Sequence, residues 1–124
     1  MKPYADGPMT SEFDPAAFAQ RQLDAYNARD IERFAREYTD DVRLFRLPDA
    51  QPFVVGKAAL VAHYRDHRFN RPGLHAELLG RLVFGNKVID QERVVGVQAA
   101  PMDVAAIYEV TPAGICRAWF VSGA

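Results

Sequence analysis

His63 and His67 stand four residues apart in a stretch where Leu60, His63, Tyr64 and His67 repeat at helical spacing, so a helix there puts both imidazoles on one side. Such a pair can share a metal, but Tyr64 stands where a zinc-protease helix carries its glutamate, and His75 is the one other imidazole in the chain. No metal site is expected. By itself His63 is a candidate proton mover, because histidine ordinarily titrates near neutrality. Nucleophilic chemistry fails on inventory: Ser11 and Ser122 are the only serines, neither in a Gly-x-Ser-x-Gly turn. Cys116 is the single cysteine and falls in a strand-like stretch, where a structural thiol is the ordinary case. No Gly-rich phosphate loop is present. Arg65, Arg68 and Arg71 gather in a basic region. Such a cluster is usually a solvated face, although it can draw an anion.

With 124 residues, 49% hydrophobic and 25% charged, the chain suits one soluble globular domain and excludes disorder, collagen and coiled coil. Fifteen basic against 16 acidic side chains leave a net charge of −1 and no general field for nucleic acid. No apolar run approaches the roughly 18 residues of a membrane helix, and no signal segment is visible. With one cysteine and no internal disulfide, a cytoplasmic location is the expectation.

Residues 1–12, with Pro3, Gly7 and Pro8, read as a loose leader, and residues 13–124 as one domain. Asp14 can cap a helix with Pro15 at its first position, and Phe13 can staple onto Phe18. Ala16, Ala19, Leu23 and Tyr26 form its apolar stripe through about Ala28. Asp30 looks like a second cap, followed by the stripe Ile31, Phe34, Ala35 and Tyr38. Val42 to Leu47 reads as a strand and Lys57 to Phe69 as a third helix, stopped by Asn70-Arg71-Pro72-Gly73. Period-two stretches then run from Leu74 to Phe84, Lys87 to Gly96, Asp103 to Thr111 and Ile115 to Ser122. Short turns between them predict an antiparallel meander. The expected fold is α+β, in the order α-α-β-α-β-β-β-β, with three helices over one face of a curved sheet.

This order, with Asn27-Ala28-Arg29-Asp30-Ile31, Tyr38-Thr39-Asp40-Asp41-Val42, Val55-Gly56-Lys57-Ala58-Ala59-Leu60, Asp90-Gln91-Glu92-Arg93-Val94 and Gly114-Ile115-Cys116-Arg117-Ala118-Trp119-Phe120, resembles the nuclear transport factor two-like superfamily. That group includes ketosteroid isomerases, limonene epoxide hydrolases and SnoaL-type cyclases. The resemblance implies a cone-shaped fold with an internal pocket. In the steroid isomerases it also implies a carboxylate base with a Tyr and a protonated Asp as oxyanion donors. Those places fall on Arg46, Gln22 and near Ala106, so that set is absent. In the epoxide hydrolases it implies an Asp-Arg-Asp arrangement. Here Arg93 is kept, but Val95 and the region of Phe120 stand where the acids belong.

By the same analogy Arg93 points inward, which takes Gln91 with it and turns Asp90 and Glu92 outward. Val104, Ala106, Tyr108 and Val110 then share an inner face. The expected site consists of His63 as the catalytic proton mover and Tyr26, Arg46, Tyr64, Gln91, Arg93 and Tyr108 as ligand-binding groups, without a cofactor. It suits a small apolar molecule with a polar or anionic handle, which an isomerase-like or cyclase-like reaction would transform. The competing expectation is a non-catalytic binding or dimerising module, with Arg46 and Arg93 paired to acids such as Asp49 or Glu92. The outer face, with Asp103, Ala105, Ile107, Glu109 and Trp119, is the expected homodimer surface.

Overall fold

The structure, a computed structural model, describes residues 13–123; the expected leader, residues 1–12, lies outside them. Asp14 caps α1 (Pro15–Ala28) by accepting the Ala16 amide at 3.1 Å, and Phe13 meets Phe18 edge-on with ring centroids 6.3 Å apart. Arg29 ends that helix in the left-handed region, and Asp30 caps α2 (Ile31–Arg36) through the Arg33 amide at 3.1 Å. Both starts follow from local side-chain chemistry.

Tyr38, expected on the second helix, instead opens β1 (Tyr38–Arg46). There its ring packs against Phe34 with centroids 5.0 Å apart, and its hydroxyl donates to Gln22 Oε1 at 3.0 Å. These tertiary contacts override the local spacing. A two-residue strand, β2 (Val54–Val55), absent from the sequence expectation, pairs with β1 ahead of α3 (Lys57–His67). The meander follows as β3 (His75–Phe84), β4 (Lys87–Val95), β5 (Met102–Thr111) and β6 (Gly114–Ser122).

The α+β reading holds with that one strand added. The six strands form a curved sheet in the order β2-β1-β6-β5-β4-β3, with β1 parallel to β6 and every other neighbour antiparallel. Gly114 lets β6 enter beside the end of α2: its φ is +139°, and a Cβ there would stand 3.0 Å from the Glu37 carbonyl.

Asn27 ties α1 to the edge strand β3, donating to the Ala76 carbonyl at 2.9 Å and accepting the Ala76 amide at 2.8 Å. Arg29 adds a bond to the Leu74 carbonyl at 3.1 Å. Satisfying an edge strand's free backbone groups in this way fixes the helix across the sheet. Between helices and sheet, Phe34 centres an aromatic cluster, with Tyr64 at 4.6 Å, Phe69 at 5.3 Å and Tyr26 at 6.2 Å.

Candidate functional site

Alternation along β4 decides which side chains face the helices. Val88, Asp90, Glu92 and Val94 are buried on the inner face, while Gln91, Arg93 and Val95 are exposed on the outer one. Across from them on β5, Ala106 pairs with Asp90, Tyr108 with Val88 and Val104 with Glu92. With α1, Phe53 and the C-terminal end of α3, this face encloses a cavity of about 300 Å³. That is near the lower end of small-molecule sites. Buried Gln22, Glu92 and Tyr108 form its floor, and exposed Arg46, Leu47 and Ser122 its rim.

Glu92 is the unusual group on the floor. It is 7% exposed, and its Oε2 is the only buried side-chain polar atom without a hydrogen-bond partner among the described residues. Burial, aided by the charge of Asp90 and opposed by Arg81, pushes its pKa from 4.5 to about 7. Asp90 is treated differently: Arg81 grips it at 2.7 and 3.0 Å and also donates to Gln20 Oε1 at 3.0 Å. A β-bulge in β3 between Leu78 and Gly80 shifts the register so that Arg81 falls opposite Asp90 while Leu78 falls opposite Glu92.

A chain of bonds runs under the cavity. Tyr38 donates to Gln22, whose Nε2 donates to the Tyr108 hydroxyl at 3.1 Å and to the Ala19 carbonyl at 3.0 Å. Gln22 thus orients Tyr108 as a hydroxyl whose own proton is not used by Gln22. Burial, with Glu92 nearby, holds that phenol well above its ordinary pKa, so it stays a donor. Burial likewise raises Tyr26 to about 12 and pushes Tyr64 upward. His63 moves the other way, to about 4, because it is partly buried and lies near Arg68, His67 and Arg46. It is neutral at pH 7.

The structure gathers Tyr26, Arg46, His63, Tyr64 and Tyr108 around this one cavity. Arg93 and Gln91 are corrections: both are exposed on the outer face, and Arg93 pairs with Asp103 on β5 at 3.1 Å. The pairing expectation for this arginine holds, with Asp103 in place of Glu92. The analogy at Arg93 gives the wrong phase: Val88 and Val94 are buried, and alternation carries Asp90 and Glu92 inward with them. Arg46 stacks on Phe53, with its guanidinium carbon 3.7 Å from the ring centroid.

Sequence reasoning missed Glu92, and Arg68 and Gln22 as cavity residues. Alternation along β4 carries no clear signal for the first, because Ile89 and Val95 on the other face match Val88 and Val94. The His63 and His67 rings lie 5.3 Å apart and tilted by 50°, yet among the described residues no three His, Cys, Asp or Glu side chains are grouped to hold a metal. Among the same residues no helix is long and apolar enough to cross a membrane.

A curved sheet, three helices and a cavity between them define the class, the nuclear transport factor two-like superfamily. Within it, the chain belongs to the family of the SnoaL-like domain, whose sequence profile matches residues 19–118. Among solved structures it is similar to an uncharacterised cystatin-fold protein from Novosphingobium aromaticivorans, with a TM-score of 0.80, 23% identity and coverage of 87% of this chain and 97% of that one. A candidate ketosteroid isomerase from Kribbella flavida gives 0.77 and 18%, covering 89% and 78%. A candidate polyketide cyclase from Sinorhizobium meliloti gives 0.73 and 16%, covering 87% and 99%. At these identities the likeness concerns the fold. No match is found among curated protein sequences.

Proposed function

We propose that the chain performs cofactor-free acid–base chemistry on a small, mostly apolar carbonyl compound, of the isomerase or cyclase type, with Glu92 rather than His63 as the proton mover. The observation that carries this reading is a buried carboxyl group without a hydrogen-bond partner for its Oε2, on the wall of a cavity, with a pKa raised to about 7. A base poised near the working pH is what proton abstraction needs. In the step, Glu92 takes a proton from the carbon beside the carbonyl, and the C–H electron pair moves onto the oxygen as an enolate. Tyr108, oriented by Gln22, donates to that oxygen. The proton then returns at another carbon, or the enolate carbon closes a ring on a second carbonyl carbon of the same molecule, whose π pair moves onto its oxygen and takes up the proton that Glu92 holds. Neutral His63, Tyr26 and Tyr64 orient the ligand, and Arg46 stands at the entrance.

Deuterium uptake beside the carbonyl, followed by NMR for a panel of cyclic ketones in D₂O, tests the reading. Exchange by the native protein that falls about 10²–10⁴-fold in Glu92→Gln is expected. Equal exchange above background by both proteins would remove Glu92 as the proton mover, and none by the native protein on any ketone that binds would leave the competing non-catalytic binding module.

The homodimer belongs to the same reading. Phe45, Trp119, Ile107, Ile89 and Leu82 lie in register across five strands of the outer face, a continuous apolar row that a second copy would cover. Light scattering of Ile107→Glu should then give a monomer where the native chain gives a dimer.

A further inference from the structure

Among the described residues, two arginines that line the cavity, exposed Arg46 and half-buried Arg68, have no ion-pair partner. The Arg46 guanidinium carbon lies over the Phe53 ring, 3.7 Å from its centroid, with no side-chain hydrogen bond among the described residues, and Arg68, the residue that ends α3, donates to the His67 carbonyl at 3.0 Å. Among the described residues, the arginine ion pairs are those of Arg21, Arg33, Arg65, Arg81, Arg93 and Arg117; Arg46 and Arg68 are not among them. Both line the same cavity, and His63 joins them. Its ring is 5.3 Å from that of Phe53, which carries Arg46, and it sits on the last turns of the helix that Arg68 ends. Both guanidiniums depress the His63 pKa, which agrees with their closeness to it. The charge pattern of the cavity is therefore directional: two cations without an ion pair among the described residues, exposed Arg46 and half-buried Arg68, a neutral imidazole beside them, and the acid Glu92 on the buried floor.

We propose that Arg46 and Arg68 form a seat for the carboxylate of the ligand, with neutral His63 as a further hydrogen-bond donor, so that the substrate class is a keto acid of one or two rings. Guanidinium forks match a planar carboxylate in geometry as well as charge. The acid end stays at the rim, and the ring body passes between Tyr26 and Phe120 toward Glu92. These two cations along the cavity raise the local concentration of anions. The orientation rests on the function proposed above; the seat itself requires no turnover.

Matched probes test the seat. Calorimetry at pH 8 compares 2-naphthoate with 2-naphthamide, which have the same ring body and differ in charge. The native protein is expected to prefer naphthoate by about tenfold, with the preference falling to within about twofold in Arg46→Gln/Arg68→Gln. Arg93→Gln, changed on the outer face, keeps it. Naphthamide affinity depends on the apolar walls alone and shows that the cavity of the double variant is intact.

Equal binding of acid and amide by the native protein overturns the seat, as does a preference that survives the double substitution or arises equally from loss of Arg93. Failure of naphthoate to bind the native protein overturns it as well. The two proposals fail separately: deuterium exchange without a carboxylate preference removes the seat alone. A carboxylate preference without Glu92-dependent exchange removes the catalytic reading alone.

Discussion

Asp90 and Glu92 are two residues apart on one face of one strand, 0% and 7% exposed, and they have opposite surroundings. Asp90 meets a guanidinium that satisfies both its oxygens, whereas Glu92 meets Leu78 on one side and Val104 on the other. Burial is therefore not what separates a structural carboxylate from a chemical one. What separates them is whether the fold supplies a partner, and here one extra residue in β3 decides it by bringing Arg81 level with Asp90 and stopping short of Glu92.

Removing the partner should show the difference most strongly. Arg81→Met leaves Asp90 as an uncompensated buried charge, with an expected loss of about 3–5 kcal/mol in urea unfolding at pH 7. Loss of less than about 1 kcal/mol would mean that the two acids are alike after all.

Glu92→Gln should act in the opposite sense. The folded pKa near 7 lies above the ordinary 4.5, so the unfolded chain ionises first as pH rises. The native protein thus loses stability from this group between about 4.5 and 7, and the loss is complete above that window. Relative to the native chain, Glu92→Gln should gain about 3 kcal/mol between pH 4 and pH 8. A variant that loses exchange activity while gaining stability at pH 8 is the behaviour of a strained functional group.

His63 gives a smaller effect of reversed sign. Its folded pKa of about 4 lies below its ordinary 6.5, so the native protein loses stability as pH falls from about 6.5 toward 4. His63→Gln should flatten that acid limb in thermal melts. The change should be smaller than for Glu92, because His63 is only partly buried and solvent screens it.

Much of the scaffold was legible because its signals are local. Asp14 and Asp30 announce their helices by capping chemistry, and the four strands of the meander are bounded by Pro, Gly and Asn turns. Tyr38 was misplaced because its spacing from Phe34 and Ala35 fits a helix equally well. Its strand position comes from Gln22, sixteen residues earlier, through a bond that no local window contains.

The site was half legible. Tyr26, Arg46, His63, Tyr64 and Tyr108 converge on the cavity as expected, because α1, α3 and β5 carry clear periodicity. β4 does not: both its faces mix β-branched and charged residues, so alternation alone leaves the phase open, and one borrowed residue fixed it wrongly. Burying two acids also looks unfavourable until the bulge supplies Arg81, and a bulge leaves no clear mark on composition.

The smallest effect tests that phase directly. Arg93 and Asp103 meet at 3.1 Å with side chains 49% and 58% exposed, and water screens a pair in that setting. Arg93→Ala should cost no more than about 1 kcal/mol in urea unfolding and leave both naphthoate preference and ketone exchange unchanged. An inward Arg93 would instead face the cavity beside Tyr108 and Val104, with Glu92 turned outward, and its loss would change all three measurements together. A null result in every one is thus informative: it assigns the outer face to Arg93 and the floor of the cavity to its neighbour Glu92.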